Sequence, residues 1–424
     1  MTTFVDSEGI RTVLAQQNGA GTNYLVETSA GILYQVYVDG NSDVSFLKSI
    51  DSGKTWAAPV TIFTGTTTQL SVWFGPWSGL ANGLIYCAYT ESVTDDVLFR
   101  TINTASADAL GTQTTIFAGA TASGTSACLS ITASRGGNLI CAGCIDAGIE
   151  SFSKKSTDAG ANWGNIASPY EATTDQLILA PGFAADNQDI LCIYWDADAD
   201  EISRKVYDDS GDSWVETSIA TSMTDFVASS AFPNFAIVPD LSNSRLILAA
   251  WSAVDLLNAD LRCWFVSESA ITETTTPIVS NSTDDQGLCA VSLDTTNGDI
   301  YVYYGGNSDG SSTWPTVVPV NYKKTDDDGA TWGNETPIMA IPHAMTWLVT
   351  NPRMVYLSAE LIVAFYNGIG SDYIQFSSIM PTLPAVADVE NGVQYGINGV
   401  QFTGTFAGGG TNSNANILGG SVIH

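Results

Sequence analysis

Ser49-Ile-Asp51-Ser-Gly53-Lys-Thr-Trp56 is one of four stretches that share the pattern Ser/Thr/Tyr-x-Asp-x-Gly-x-x-Trp. The others are Ser156-Thr-Asp158-Ala-Gly160-Ala-Asn-Trp163, Tyr207-Asp-Asp209-Ser-Gly211-Asp-Ser-Trp214 and Thr325-Asp-Asp327-Asp-Gly329-Ala-Thr-Trp332. Their tryptophans stand 107, 51 and 118 residues apart, so the two wide gaps each span about two periods. Weaker copies fill the gaps at Thr101-Ile-Asn103 and Ser267-Glu268, with a further one at Ser377-Ser-Ile379. A fixed period of this length marks a chain built from stacked supersecondary units.

Working outward, an apolar run precedes every copy. These runs are "ILYQVYVD" from Ile32, "LIYCAYTE" from Leu84, "LICAGCID" from Leu139, "DILCIYWD" from Asp189, "RLILAAWS" from Arg245, "DIYVYYGG" from Asp299 and "ELIVAFYN" from Glu360. Near-continuous apolar strands suit a sheet covered on both faces. A short polar loop and an alternating strand, such as "DVSFLKSID", follow each run. Seven such starts predict seven blades.

The repeated turn resembles the Asp-box of the bacterial neuraminidase repeat family, and the resemblance covers about residues 1–381. It implies a β-propeller in which each box is the hairpin between the third and fourth strands of a blade, opposite the ligand face. The residue types agree with that role. An Asp carboxylate accepts N–H bonds from its own turn, Gly supplies a positive φ, and Trp wedges against neighbouring strands. Asp51, Asp158, Asp209 and Asp327, with Trp56, Trp163, Trp214 and Trp332, are therefore read as structural staples and not as catalysts. The expected fold is all-β: a seven-bladed propeller of four-stranded blades over residues 1–381. The run "IRTVLAQQ" from Ile10 should supply the last blade's missing outer strand and close the ring.

Residues 382–424 change character, with many Gly and Asn and no box. Asp388-Val-Glu-Asn-Gly-Val-Gln-Tyr-Gly-Ile-Asn-Gly-Val-Gln-Phe-Thr-Gly-Thr-Phe resembles a C-terminal segment of tailed-phage structural proteins. The resemblance implies attachment to other virion proteins or oligomerisation; composition alone would also fit a disordered Gly-rich tail.

With 44 acidic and 14 basic residues the net charge is −30, a field that repels nucleic acid and anionic membrane. No apolar run reaches the ~18 residues of a membrane helix, and the first residues lack the charge and apolar core of a signal peptide. Seven cysteines sit within apolar runs, which reads as buried reduced thiols and synthesis in a cytosol.

A sialidase-like site would need three arginines, an acid Asp and a Tyr–Glu pair. Arg100, Arg204 and Arg262 fall in third strands, Arg135 and Arg245 in turns on the box face, and only Arg11 and Arg353 are left for the mouth. Neither His343 nor His424 has a partner arrangement for a hydrolase triad. No catalytic residue is assigned. Loops that should rim the ligand face are instead rich in Asp and Glu. Asp196, Asp198 and Asp200 alternate as the oxygen ligands of Ca2+ would, but without the Gly and distal Glu of an EF-hand loop, and no cofactor is required. Trp73, Trp77, Trp195, Trp251, Tyr304, Trp347 and Tyr366 lie outside the boxes and are candidates for stacking on sugar rings, with packing between blades as the alternative. Three functions stand open: a phage virion protein binding a cell-surface glycan or partner protein, present as a homo-oligomer or in many copies; a divergent sialidase-like glycoside hydrolase; and a purely architectural component.

Overall fold

The computed structural model describes residues 2–6, 9–16, 23–344, 361–367, 373–379, 394–395 and 402–403. Within these it omits 29, 52, 54, 76–82, 120–127, 146–149, 171–175, 185–187, 197–198, 222, 224–234, 254–258, 283–288, 295–296 and 306–316. The described residues are strands and turns without a helix, so no helix here is long and apolar enough to cross a membrane.

An N-terminal hairpin, β1 (Thr2–Asp6) and β2 (Gly9–Gln16), precedes six antiparallel sheets laid down in chain order. The first is β3 (Asn23–Glu27), β4 (Leu33–Val38), β5 (Val44–Ser49) and β6 (Val60–Phe63). The second is β7 (Leu70–Trp73), β8 (Leu84–Glu91) and β9 (Asp96–Asn103), edged by β10 (Ala109–Leu110) and β11 (Thr114–Phe117). The third is β12 (Cys128–Ala133), β13 (Leu139–Ile145), β14 (Glu150–Ser156) and β15 (Gly164–Asn165). The fourth is β16 (Gln176–Pro181), β17 (Ile190–Asp196), β18 (Glu201–Asp208) and β19 (Ser213–Thr221). The fifth is β20 (Phe235–Asp240), β21 (Arg245–Ala253) and β22 (Ala259–Val266), edged by β23 (Ile271–Glu273) and β24 (Val279–Ser282). The sixth is β25 (Cys289–Leu293), β26 (Ile300–Gly305), β27 (Val317–Thr325) and β28 (Thr336–Ala344). Beyond them lie β29 (Leu361–Asn367), β30 (Tyr373–Ile379) and a two-stranded pair, β31 (Gln394–Tyr395) with β32 (Phe402–Thr403).

Each sheet is a propeller blade, and the energetics lie between blades. Five apolar clusters fill the five gaps between the six blades. Val36 and Ile85 meet in the first gap, Ile131 and Tyr86 in the second, Leu179 and Ile140 in the third, Leu248 and Ile193 in the fourth, and Val302 and Ile247 in the fifth. Second strands are sealed by this packing: β4 is buried throughout, and β17 is buried up to Tyr194 and Trp195. Burial at ~25 cal/mol per Å2 of apolar surface makes these gaps the main source of stability. Inner strands are also stitched directly. The Ile131 N–H donates to Ser71 Oγ (3.0 Å), and the Leu179 N–H donates to Ser130 Oγ (3.0 Å).

The seven-blade expectation is corrected to six blades made of consecutive strands. The remaining four-stranded sheet is assembled otherwise, in the order β1-β2-β30-β29. The run from Ile10 does lie beside the last third strand, with Ile10 opposite Ser378 and Gln16 opposite Tyr373. It arrives as the inner half of a hairpin, so the N-terminal segment fills two positions of that sheet where one was expected.

Candidate functional site

Antiparallel order divides the loops between two ends of the propeller. Turns joining first to second and third to fourth strands share one end; loops joining second to third strands lie at the other, the candidate ligand face.

At the first end, three of the four repeated turns are built alike. Ser49, Ser156 and Thr325 donate their hydroxyls to Asp51, Asp158 and Asp327 at 2.8, 2.8 and 2.7 Å. The same hydroxyl oxygens accept the N–H of Gly53, Gly160 and Gly329 at 2.9, 2.8 and 3.0 Å. Each Asp then accepts both the N–H and the side chain of the residue four places on, Thr55, Asn162 or Thr331. The glycines have φ of 84°, 92° and 74°, a region L-residues avoid. These bonds hold Asp158 at a pKa of about 2, first through the Asn162 side chain and then through the Asn162 and Ser156 bonds. Asp327 is likewise held at about 2, first through Thr325 and then Thr331. Trp56 and Trp163 donate their indole N–H to Gly53 and Gly160 carbonyls, and Trp332 donates to Thr276 O. The sequence pattern noted the Ser or Thr two places before Asp without seeing that it is the hub of the turn.

Tyr207–Trp214 departs from this plan. Here β18 and β19 pair right through the turn, with Tyr207 opposite Trp214 and Asp208 opposite Ser213. Asp208, not Asp209, accepts the turn N–H groups, those of Ser210 and Gly211. Asp209 instead reaches the third blade, 2.6 Å from Lys155 Nζ. Asp209 is therefore an inter-blade ion-pair partner, a correction to its reading as a box staple. Trp214 keeps a bridging role, donating to Ala167 O at 2.9 Å.

On the opposite face several carboxylates hold the backbone of their own chain. Asp39 Oδ1 accepts the N–H groups of Asn41 (2.8 Å) and Asp43 (3.1 Å). Asp43 and Asp96, each beside the start of a third strand, accept the N–H groups of Gly65 (3.0 Å) and Gly119 (3.3 Å) in the outer-strand linkers. Asp196 accepts the Ala199 N–H at 3.0 Å, closing its own turn; Asp200 takes a left-handed φ of 51°, and Asp198 lies outside the described residues. Among the described residues no group of three His, Cys, Asp or Glu is placed to hold a metal ion.

The aromatic candidates turn inward. Trp73, Trp195, Trp251 and Tyr304 are buried in the clusters between blades, with Trp251 edge-on to Tyr304 and the Tyr304 hydroxyl donating to Glu335 at 2.7 Å. None of these four presents a ring face to solvent, so their expected stacking on a sugar is replaced by packing. Trp77 and Trp347 lie outside the described residues, and of Tyr366 the structure gives only its place on β29, opposite Ile374.

The cations follow one rule. Of the 14 Lys and Arg, eleven have described side chains; Arg11, Lys54 and Arg353 do not. Nine of the eleven sit on third strands (β5, β9, β14, β18, β22 and β27), and most reach sideways to a neighbouring blade or its linker. Lys48 pairs with Asp108 at 2.8 Å and Arg100 donates to Ile62 O at 2.6 Å. Arg204 donates to Ser267 O at 2.6 Å, Lys205 to Pro169 O at 2.9 Å, and Lys323 to Ile278 O at 2.8 Å. Lys205 also stands 3.6 Å from the centre of the Tyr194 ring. Arg245, from the end that carries the repeated turns, bridges Asp240 (2.9 Å) and Asp328 (2.6 Å). Arg262 binds Glu273 within its own blade, and Arg135 donates to Phe183 O. All seven thiols are buried, and no disulfide joins the described residues; desolvation pushes Cys263 up to about 12.

No protein-family model matches the sequence, and no curated protein matches it either. Solved structures do. An ulvan lyase of polysaccharide lyase family PL25 is similar at 10% identity over 88% of this chain and 95% of its own, with a TM-score of 0.54. The NanB sialidase of Streptococcus pneumoniae is similar at 12% identity over 87% and 70%, TM-score 0.44. The Aleuria aurantia lectin, in complex with Fucα1-6GlcNAc, is similar at 12% identity over 77% and 99%, TM-score 0.42. At these identities the likeness is one of fold: an all-β propeller with four-stranded antiparallel blades.

Proposed function

We propose that this propeller is a non-catalytic binding domain whose second-to-third-strand loops meet a neutral glycan or a basic protein surface. We further propose that the chain is a tailed-phage virion component, attached to other virion proteins through residues 382–424 and released from its host at lysis. One observation carries the binding reading. All eleven described cations are engaged within the propeller, nine of them from third strands, so the described face has no basic cluster to hold a carboxylated sugar. The ulvan lyase, seen with a bound -[GlcA(1-4)Rha3S]- fragment, supplies a precedent for a saccharide on this fold, there an acidic one that carries a carboxylate and a sulfate; the preference for a neutral sugar rests on the cations of this chain alone. The repeated Ser/Thr-x-Asp-x-Gly turns, in this reading, are Asp-boxes that brace the face opposite the ligand.

A glycan array read beside a sialoside hydrolysis assay at ~0.15 M salt, where screening leaves only contact charges, tests this. Retention of neutral glycans or of a basic partner, without product release, is expected. Sialoside turnover that disappears in Arg11→Ala or Arg353→Ala would overturn the non-catalytic reading.

A further inference from the structure

Outer strands of a blade are sheet edges, and natural edges are kept short or broken so that they do not pair with other chains. Here β6 and β11 have 4 residues each, β15 has 2, and β23 and β24 have 3 and 4. β28 is longer, but Pro337 and Pro342 remove two of its N–H groups. β19 is less defended: its ladder runs unbroken from Ser213 to Ser218 before a bulge at Ile219, and Glu216 is its one charge. It runs nine residues, Ser213–Thr221, without proline or lysine, and among the described residues it lies last in its sheet. Val215 is 60% exposed, and Glu216, Thr217 and Ser218 are exposed beside it.

We infer that β19 is a self-association edge: two copies of the chain join their fourth blades antiparallel, with Val215 of each on the two-fold axis. This inference does not rest on the proposed function. Chemistry chooses the occupant and the register. A two-fold normal to the sheet places each residue opposite one whose number differs from it by an even step, so only a few centres are available. Centring on Glu216 would set like charges face to face, which destabilises a pair. Centring on Thr217 would run the contact through the β-bulge that leaves Ile219 without a partner on β18. Centring on Val215 keeps to the regular stretch. It sets Val215 against Val215, Ser213 against Thr217, and Glu216 against Trp214, with no like charges opposed. Glu216 is already partnered by Lys205 (3.5 Å) and Ser203, which mutes its charge at the edge. Two chains of net charge −30 still repel at long range, so association should tighten as salt shortens the Debye length.

The test is site-directed cross-linking of the full chain. Directly opposed antiparallel residues have Cα atoms ~4.5–5.5 Å apart, within the range a disulfide spans. Val215→Cys should therefore give a covalent dimer under mild oxidant at least about tenfold faster than Thr217→Cys, whose opposite residue is 213. The seven native thiols are buried and give the background. Sedimentation of the unmodified chain should show a dimer that strengthens from 0.05 to 0.5 M salt (about a tenfold range), and Val215→Asp should abolish it while matching the melting temperature of the parent diluted to monomer. Equal cross-linking of the two cysteine variants, a monomer at every salt concentration, or cross-linking only when Val215→Cys is mixed with Thr217→Cys would overturn the inference.

Discussion

The turns at Ser156 and at Tyr207 carry the same Asp-x-Gly-x-x-Trp signature and fold differently. At Ser156 a buried hydroxyl sits between Asp158 and Gly160, the chain passes through left-handed Ala159 (φ 59°) and Gly160 (φ 92°), and the ladder breaks. Only the two-residue β15 follows. At Tyr207 the side chain is too large to serve as that hub, and its hydroxyl donates instead to Asp212 at 3.0 Å. Asp212 alone takes a positive φ (45°), the ladder continues unbroken, and the nine-residue β19 emerges. One hydroxyl two places before the Asp thus decides whether the ladder stops at a stapled turn or runs on through the hairpin.

The largest effect expected in breaking this contrast is at the tryptophans. Trp56→Ala removes a buried wedge and should cost about 3–5 kcal/mol in denaturant titration, while Trp214→Ala, half-buried in its hairpin, should cost clearly less. Equal losses would mean that the two turns brace their blades alike. Next come the glycines. Gly160→Ala meets both the left-handed penalty of about 1–2 kcal/mol and Phe99, whose ring carbon would lie 2.1 Å from the new methyl. Gly211→Ala meets only the movable Asp208 carboxylate at 2.9 Å and should stay within about 0.5 kcal/mol of the parent. A chemical-denaturation midpoint for each variant sharpens the contrast or removes it. The smallest effect is acid sensitivity. Asp158 and Asp327 are held at about 2, below the ~3.9 of an unfolded chain. Their contribution is therefore complete above about pH 4 and fades as pH falls toward 2. The melting temperature should drop over that window, and joint Asp158→Asn and Asp327→Asn substitution should flatten it. An unchanged acid limb in the double variant would show that these turns do not set it.

The repeat, the strand order within a blade and the structural use of Asp51, Asp158 and Asp327 were legible in the residues because period, turn chemistry and apolar runs agree there. Tyr207 was misread because the pattern admitted any residue at the hub position. Trp73, Trp195, Trp251 and Tyr304 were read as rim aromatics because strand periodicity separates two faces of a sheet but cannot tell one covered face from another. In a propeller both faces of every second strand are covered. The use of Asp43 and Asp96 as backbone acceptors was equally hidden, since it depends on linkers about twenty residues away, at Gly65 and Gly119.

The pairing of β2 with β30 also sets a clock. Ser378 lies 368 residues after Ile10, yet the two stand opposite each other in one ladder. At a translation rate of ~5–20 residues per second, β2 is made roughly twenty seconds to more than a minute before β30 exists. During that interval the β1-β2 hairpin is a nascent strand pair with an unmatched side, while the six blades can dock behind it one at a time. The ring's two ends are therefore joined by a late, long-range event, the slowest kind of contact for a β-protein to make, and crowded nascent chains have that long in which to exchange hairpins with one another.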